Sequence, residues 1–174
     1  MTRRRRQILA LLLGNYLLIA VTSQVNHAFS PWQLRLSLGG LLVAPATLSV
    51  GFRAGATVAF LTGLLLDATA PVWFGTHALL LLAAHAVLYS QRSGLAREET
   101  VVAVVAALLA NLGIWLALAF FLGASLSLPG SAAVRLLAEL GCSQIVLALI
   151  GPWFFSLQVR LLTMAGAKLR PDEF

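Results

Sequence analysis

Apolar residues occur in six long runs along the chain, separated by glycine, proline or charged residues. A run of about 20 apolar residues forms a helix that crosses the hydrocarbon core of a bilayer, which is about 30 Å thick. The sequence therefore predicts six transmembrane helices in an all-α, polytopic membrane protein. The predicted helices lie at about residues 8–23, 34–50, 54–70, 76–90, 100–124 and 137–159.

The breaks between these runs contain residues that end helices. Three of them carry a proline, at Ser30–Trp32, Ala70–Val72 and Leu128–Gly130. Between the second and third runs there is only the short stretch Gly51–Gly55. This stretch predicts a tight turn in a helical hairpin.

The composition fits an integral membrane protein. Apolar residues make up 60% of the chain and charged residues 10%, and the mean hydropathy is +0.92. Such a chain has too little polar surface to coat a water-soluble globule. Six crossings with short loops account for its length, so residues 1–174 are predicted to form one membrane domain. The single cysteine, Cys142, excludes an intramolecular disulfide and any Cys-based metal or haem motif.

The basic residues predict the orientation. If the helices alternate in direction, all but Arg35 and Arg135 of the twelve basic residues fall on one side: Arg3–Arg6, Arg53, Arg92, Arg97, Arg160, Lys168 and Arg170. Lys and Arg in short loops stay on the cytoplasmic side, so both termini are predicted to be cytoplasmic. We expect the first helix to remain uncleaved. Topology and anionic lipid explain the net charge of +6, so nucleic-acid binding is not expected.

Asp67 is the one acidic residue that the hydropathy places well inside the membrane. A charged residue there costs roughly 2.5–3.5 kcal/mol on insertion scales, which makes Asp67 a candidate for a specific role. We expect it to point into the bundle and to bind His77, Arg35 or the N-terminus of the fourth helix. Two roles are open, a cap on the fourth helix across a tight turn and a site for a partner.

The motifs of catalytic and metal sites are not found. An intramembrane aspartyl hydrolase needs two carboxylates, and Glu139, the other candidate, lies near the outer face. His77 and His85 are eight residues apart on about the same helix face, but no third ligand accompanies them. The sequence therefore predicts no catalytic residues, no metal ion and no cofactor.

Uncharged polar residues and glycines are scattered through the predicted helices. Asn15, Thr62, Asn111, Gln144 and Gln158 could line a substrate pocket or hydrogen-bond between helices, and the second interpretation is favoured. The glycines are expected to mark close helix contacts. They are Gly39, Gly40, Gly63, Gly113, Gly141 and Gly151.

A family resemblance rests on the third and fourth helices. Phe60, Gly63, Leu64 and Asp67 form the pattern F-x-x-G-L-x-x-D, and Phe74–Leu80, which contains Gly75 and His77, follows a short turn with a proline. Over about 35 residues this order resembles the central signature of the rod shape-determining protein MreD family. Elsewhere the resemblance extends only to length, hydropathy and a basic N-terminus.

The resemblance implies a non-enzymatic scaffold in the bacterial inner membrane that supports cell elongation and peptidoglycan synthesis. Its implied partner is the membrane protein MreC, with indirect links to MreB and the peptidoglycan synthases, and it could also form homo-oligomers. Phe60, Gly63, Asp67, Gly75 and His77 are the implied structural or partner-binding residues.

The same family is similar in fold to the membrane substrate-binding subunits of energy-coupling-factor transporters. The alternative function is therefore a substrate-binding membrane subunit of a vitamin transporter.

Overall fold

The structure is a computed structural model that describes residues 2–32, 34–70, 73–92, 100–125 and 130–166. These residues form six α-helices and one short 3-10 turn, with no strand among them. The helices are α1 (Arg3–Ala28), α2 (Gly39–Ser49), α3 (Phe52–Asp67), α4 (Thr76–Gln91), α5 (Thr100–Ser125) and α6 (Gly130–Met164), and the 3-10 turn is Ser30–Trp32. The all-α prediction is confirmed for this part of the chain.

Three helices are long and apolar enough to cross a membrane by themselves. They are α1, α5 over Thr100–Phe120 and α6 over Val134–Met164. Large apolar side chains cover their outer faces, including Leu109 and Leu149, which are 63% and 69% exposed. Such a surface suits lipid rather than water, which makes the chain a membrane protein. At 16 residues each, α3 and α4 are about 24 Å long, which is shorter than the hydrocarbon core.

The second predicted helix is longer than the observed one. We expected a helix over residues 34–50, but α2 has only 11 residues and residues 34–38 are not helical. Side chains of other helices bind the backbone of this segment. Asn26 pairs with both the N–H and the carbonyl of Leu36, and the Ser37 N–H donates to the Ser143 hydroxyl. These bonds satisfy backbone groups of Leu36 and Ser37 that a helix would otherwise pair internally.

Other helix boundaries also differ from the prediction. The turn expected at Gly51–Gly55 shrinks to Val50 and Gly51, because α3 already begins at Phe52. At the other end of the chain, α6 begins at Gly130, seven residues before the expected start. The predicted breaks at 71–72 and 128–129 lie outside the described residues, as do Arg97, Lys168 and Arg170.

The core is built around α2. Nine of its eleven residues are buried, from Gly39 to Thr47. One face packs against α5 and α6 through Leu41, Leu42 and Ala44, and another meets α3 and α4 through Val43. Around this centre α3 and α4 form a hairpin, α5 packs on α6, and α1 closes the bundle between α3 and α6.

Candidate functional site

Asp67 is the last residue of α3 and is buried against the start of α4. Its oxygen Oδ1 accepts hydrogen bonds from the His77 backbone N–H and from His77 Nδ1, both at 2.9 Å. Oδ2 accepts from the backbone N–H of Gly75 at 3.0 Å and of Ala78 at 3.2 Å. A carboxylate has about four acceptor positions. Four donors therefore saturate this group.

The backbone N–H groups at the start of α4 explain why an acid is placed there. The first N–H groups of a helix lack acceptors within the helix, and the helix dipole favours a negative charge beside them. Gly75, which precedes α4, is in the left-handed region with φ +99°, a conformation that suits glycine. It has no side chain that could cap the helix. Asp67 supplies the cap from α3 instead.

Gly63 allows α4 to come close enough for this contact. It lies one turn before Asp67 on the same face of α3, and a Cβ atom added to it would be 2.5 Å from the Ala78 backbone nitrogen. Atoms at that distance overlap, so only glycine permits this approach of the two helices. Gly63, Asp67, Gly75 and His77 thus form one unit, which we call the Asp67 lock.

The predicted partners of Asp67 can now be compared with the observed ones. His77 and the N-terminus of the fourth helix were both expected, and both are confirmed. Arg35 was a further candidate, but it is exposed and is not among the described residues that bind Asp67. Phe60 is not part of the lock, since its side chain points out of the bundle and is 40% exposed.

The turn before α4 presents two aromatic side chains beside the lock. Trp73 is 90% exposed and Phe74 is 72% exposed. The Thr76 hydroxyl and the Thr76 backbone N–H both bind the Trp73 carbonyl, which fixes the turn. Trp side chains are common at the membrane–water interface. The lock therefore holds an aromatic turn at one end of the α3–α4 hairpin.

A second polar cluster includes Thr62, the residue before Gly63, and joins α1, α2, α3 and α6. The Asn15 amide donates to the Thr62 hydroxyl at 2.9 Å and to the Leu42 carbonyl at 3.0 Å. Gln158 donates to Asn15 Oδ1 at 3.0 Å, where Gly14 leaves room for its side chain. The predicted hydrogen bonding between helices is confirmed for these residues. They are packed against one another, and Asn15, Thr62 and Gln158 are each exposed by 2% or less.

A third contact lies toward the other end of α4, at His85. This buried ring donates from Nε2 to the Phe52 carbonyl at 3.1 Å and accepts the Thr47 hydroxyl at Nδ1 at 2.7 Å. It fits against Gly55. His77 and His85 therefore have separate partners. In the described parts of the chain no three His, Cys, Asp or Glu side chains could hold a metal ion together.

The remaining polar residues also connect helices. Asn111 on α5 accepts the Gly40 N–H, and Gln144 on α6 donates to the Leu108 carbonyl. The close contacts expected of Gly40 and Gly151 are confirmed, but Gly113 and Gly141 face open space, so that prediction was wrong for them.

Thr47, Asn26 and Ser143 were not identified from the sequence. Lone hydroxyl and amide groups in apolar runs are weak signals unless their partners are known.

Comparison with protein-family models, curated proteins and solved structures found no match to this chain.

Proposed function

We propose that this chain is a non-enzymatic membrane scaffold of the kind that the resemblance to the MreD family implies. It would cross the bacterial inner membrane six times with both termini in the cytoplasm, bind MreC and support cell elongation. The observation that carries the proposal is the Asp67 lock. Four of the five residues that carry the resemblance, Gly63, Asp67, Gly75 and His77, contact one another in one compact unit.

The saturated carboxylate favours a scaffold over an enzyme. Each oxygen of Asp67 already accepts two hydrogen bonds, so the group is fully used in joining α3 to α4. General acid or base catalysis needs a carboxyl or imidazole within reach of a substrate proton. The His77 ring is turned toward Asp67, and its side chain is only 16% exposed.

The crossing of six helices is part of the proposal. Its support is that α3 and α4 run as a hairpin beside three helices of spanning length, with Arg53 and Arg92 near the same end of this hairpin. Residues 34–38 add about 16 Å of extended chain to the roughly 16 Å of α2, which together reach across a core of about 30 Å.

The vitamin-transporter alternative needs a pocket lined by polar groups. The side chains that could have lined it are Asn15, Thr62, Asn111, Gln144 and Gln158, and all five form hydrogen bonds between helices. This arrangement favours the scaffold.

A pair of glycine variants tests the proposal. Gly63→Leu would push α4 away from α3, whereas Gly113→Leu adds the same side chain at a position where nothing lies within 4 Å. We expect Gly63→Leu to abolish co-purification of MreC in mild detergent and to abolish rod shape, and Gly113→Leu to preserve both.

A third variant separates binding from folding. Phe60→Ala changes an exposed side chain, so it should weaken co-purification of MreC while leaving the amount of membrane-inserted protein unchanged. The scaffold proposal fails if wild-type protein does not co-purify with MreC. It also fails if purified protein binds a vitamin with high affinity.

A further inference from the structure

The outer face of α1 has no neighbour among the described residues. The inner face packs against α3 and α6 through Leu11, Asn15 and Leu18. On the opposite side, large side chains are between 45% and 61% exposed: Leu9, Leu13, Tyr16, Leu17 and Val21. Most are apolar, as lipid contact requires. Tyr16 is the exception.

Tyr16 lies near the middle of α1. Arg6 precedes it by ten residues, or about 15 Å along the helix, and Ala28 follows it by twelve, or about 18 Å. A helix of this hydropathy places that position near the centre of a hydrocarbon core of about 30 Å. A tyrosine side chain is too short to reach the interface from there.

The hydroxyl of Tyr16 has no partner among the described residues. Lipid chains offer no hydrogen-bond acceptor, and an unpaired polar group in hydrocarbon is costly. Tyrosine is normally enriched at the membrane–water interface, where its hydroxyl reaches water. A tyrosine at mid-membrane, facing outward, therefore calls for a polar group from another helix.

We propose that this partner is Tyr16 of a second copy, and that the outer face of α1 is the interface of a homodimer. Two copies share one orientation in the membrane, so a two-fold axis along the membrane normal brings each residue to its copy at the same depth. A hydroxyl is both a donor and an acceptor, so two tyrosines can pair with each other.

The spacing of the exposed residues on α1 fits such a contact. Five exposed residues follow one another at alternating intervals of four and three, namely Leu9, Leu13, Tyr16, Ala20 and Ser23. This is the spacing of the seam between two helices that cross at a small angle. Ala20 is small enough to let the helices approach, and Ser23 supplies a second hydroxyl nearer the outer end. Arg6 continues the seam at the headgroup level, where anionic lipid screens its charge.

Cysteine cross-linking tests the interface. In a Cys142→Ser background, which removes the native thiol, Leu13→Cys places a thiol on the seam. Leu109→Cys is the matched control, because Leu109 is 63% exposed at a similar depth on α5. We expect oxidation in membranes at low protein-to-lipid ratio to yield a disulfide-linked dimer with Leu13→Cys and a monomer with Leu109→Cys. Equal cross-linking of the two variants, or none with Leu13→Cys, would overturn the proposal.

The hydroxyl itself is tested by Tyr16→Phe, with Tyr89→Phe as the control at the chain's other tyrosine. We expect Tyr16→Phe to lower the dimer association constant about threefold or more, measured by energy transfer between labelled copies on lipid dilution. Tyr89→Phe should have no effect. An unchanged constant for Tyr16→Phe would refute the role of the hydroxyl.

A disulfide between Leu13→Cys and a cysteine introduced into the MreC membrane helix, with no dimer formed, would assign the face to that partner and refute the homodimer. The proposed scaffold function would survive that result, since it requires MreC binding but no particular face.

Discussion

Replacement of Asp67 by alanine should destabilise the bundle, because several donors lose their acceptor at once. The buried Ala78 N–H would be left unpaired, at about 1–3 kcal/mol, while Gly75 and His77 are partly exposed and can bind water. The cost measured for loss of a helix cap, about 0.5–2 kcal/mol, describes the same bonds and is not added to this figure. We therefore expect Asp67→Ala to lower the free energy of unfolding by about 1–3 kcal/mol.

Asp67→Asn should lie between alanine and the wild type. Its amide oxygen can still accept from the two His77 donors, but its NH₂ group would face the N–H groups of Gly75 and Ala78. Thr69→Ala is a suitable control. Thr69 is exposed and its hydroxyl bonds only to the Leu66 carbonyl nearby.

Two measurements check this prediction. Unfolding of purified protein in mixed micelles, followed by circular dichroism, gives the change in stability. Hydrogen exchange should show faster exchange at Gly75, His77 and Ala78 in Asp67→Ala, with the later turns of α4 less affected. If Asp67→Ala unfolds within about 0.5 kcal/mol of Thr69→Ala, a size typical of neutral surface substitutions, the cap has no structural importance and the reasoning is wrong.

The remaining predictions concern the central polar cluster and the topology. Asn15→Ala removes three hydrogen bonds between helices and should lower the free energy of unfolding by about 2 kcal/mol. Thr22→Ala, which removes a bond within α1, should lower it less in the same assay. Equal losses of stability in the two variants would contradict this prediction. In a Cys142→Ser background, a membrane-impermeant maleimide added to intact cells should label Thr69→Cys and not Ser90→Cys. The reverse pattern would refute the proposed orientation.

Much of the fold could be predicted from the sequence because the six apolar runs are long and their breaks are clear. The contact of Asp67 with His77 also followed from local information. The two residues are ten positions apart across one turn, and the start of a helix attracts a negative charge. Interactions between residues that are close in sequence were sufficient to predict both the helices and this contact.

The second helix was harder to predict because hydropathy alone does not separate a helix from an extended segment inside a membrane protein. Residues 34–38, Leu-Arg-Leu-Ser-Leu, alternate between apolar and polar, and two glycines follow them. Alternation with a period of two indicates extended chain. The signal was present, but the bonds from Asn26 and Ser143 that stabilise this conformation come from distant parts of the chain.

The role of each glycine also depends on residues that are far from it in the sequence. Gly63 and Gly113 both lie in apolar helices, yet one lies against Ala78 and the other faces open space. Nothing in the residues beside them distinguishes the two. Only the positions of the neighbouring helices decide which glycine permits a close contact.

The polar contacts occur at three levels along α3, and this distribution bears on how the protein works. Asp67 joins α3 to α4 at one end, Thr62 joins it to α1 in the middle, and the Phe52 carbonyl joins it to His85 at the other end. In lipid, helices are not driven together by the hydrophobic effect, so such bonds and close packing fix their relative positions. Any movement of α4 along α3 would break the bonds at both ends of the hairpin. A hairpin held in this way suits a protein that presents a fixed surface to a partner better than one whose helices must separate to admit a ligand.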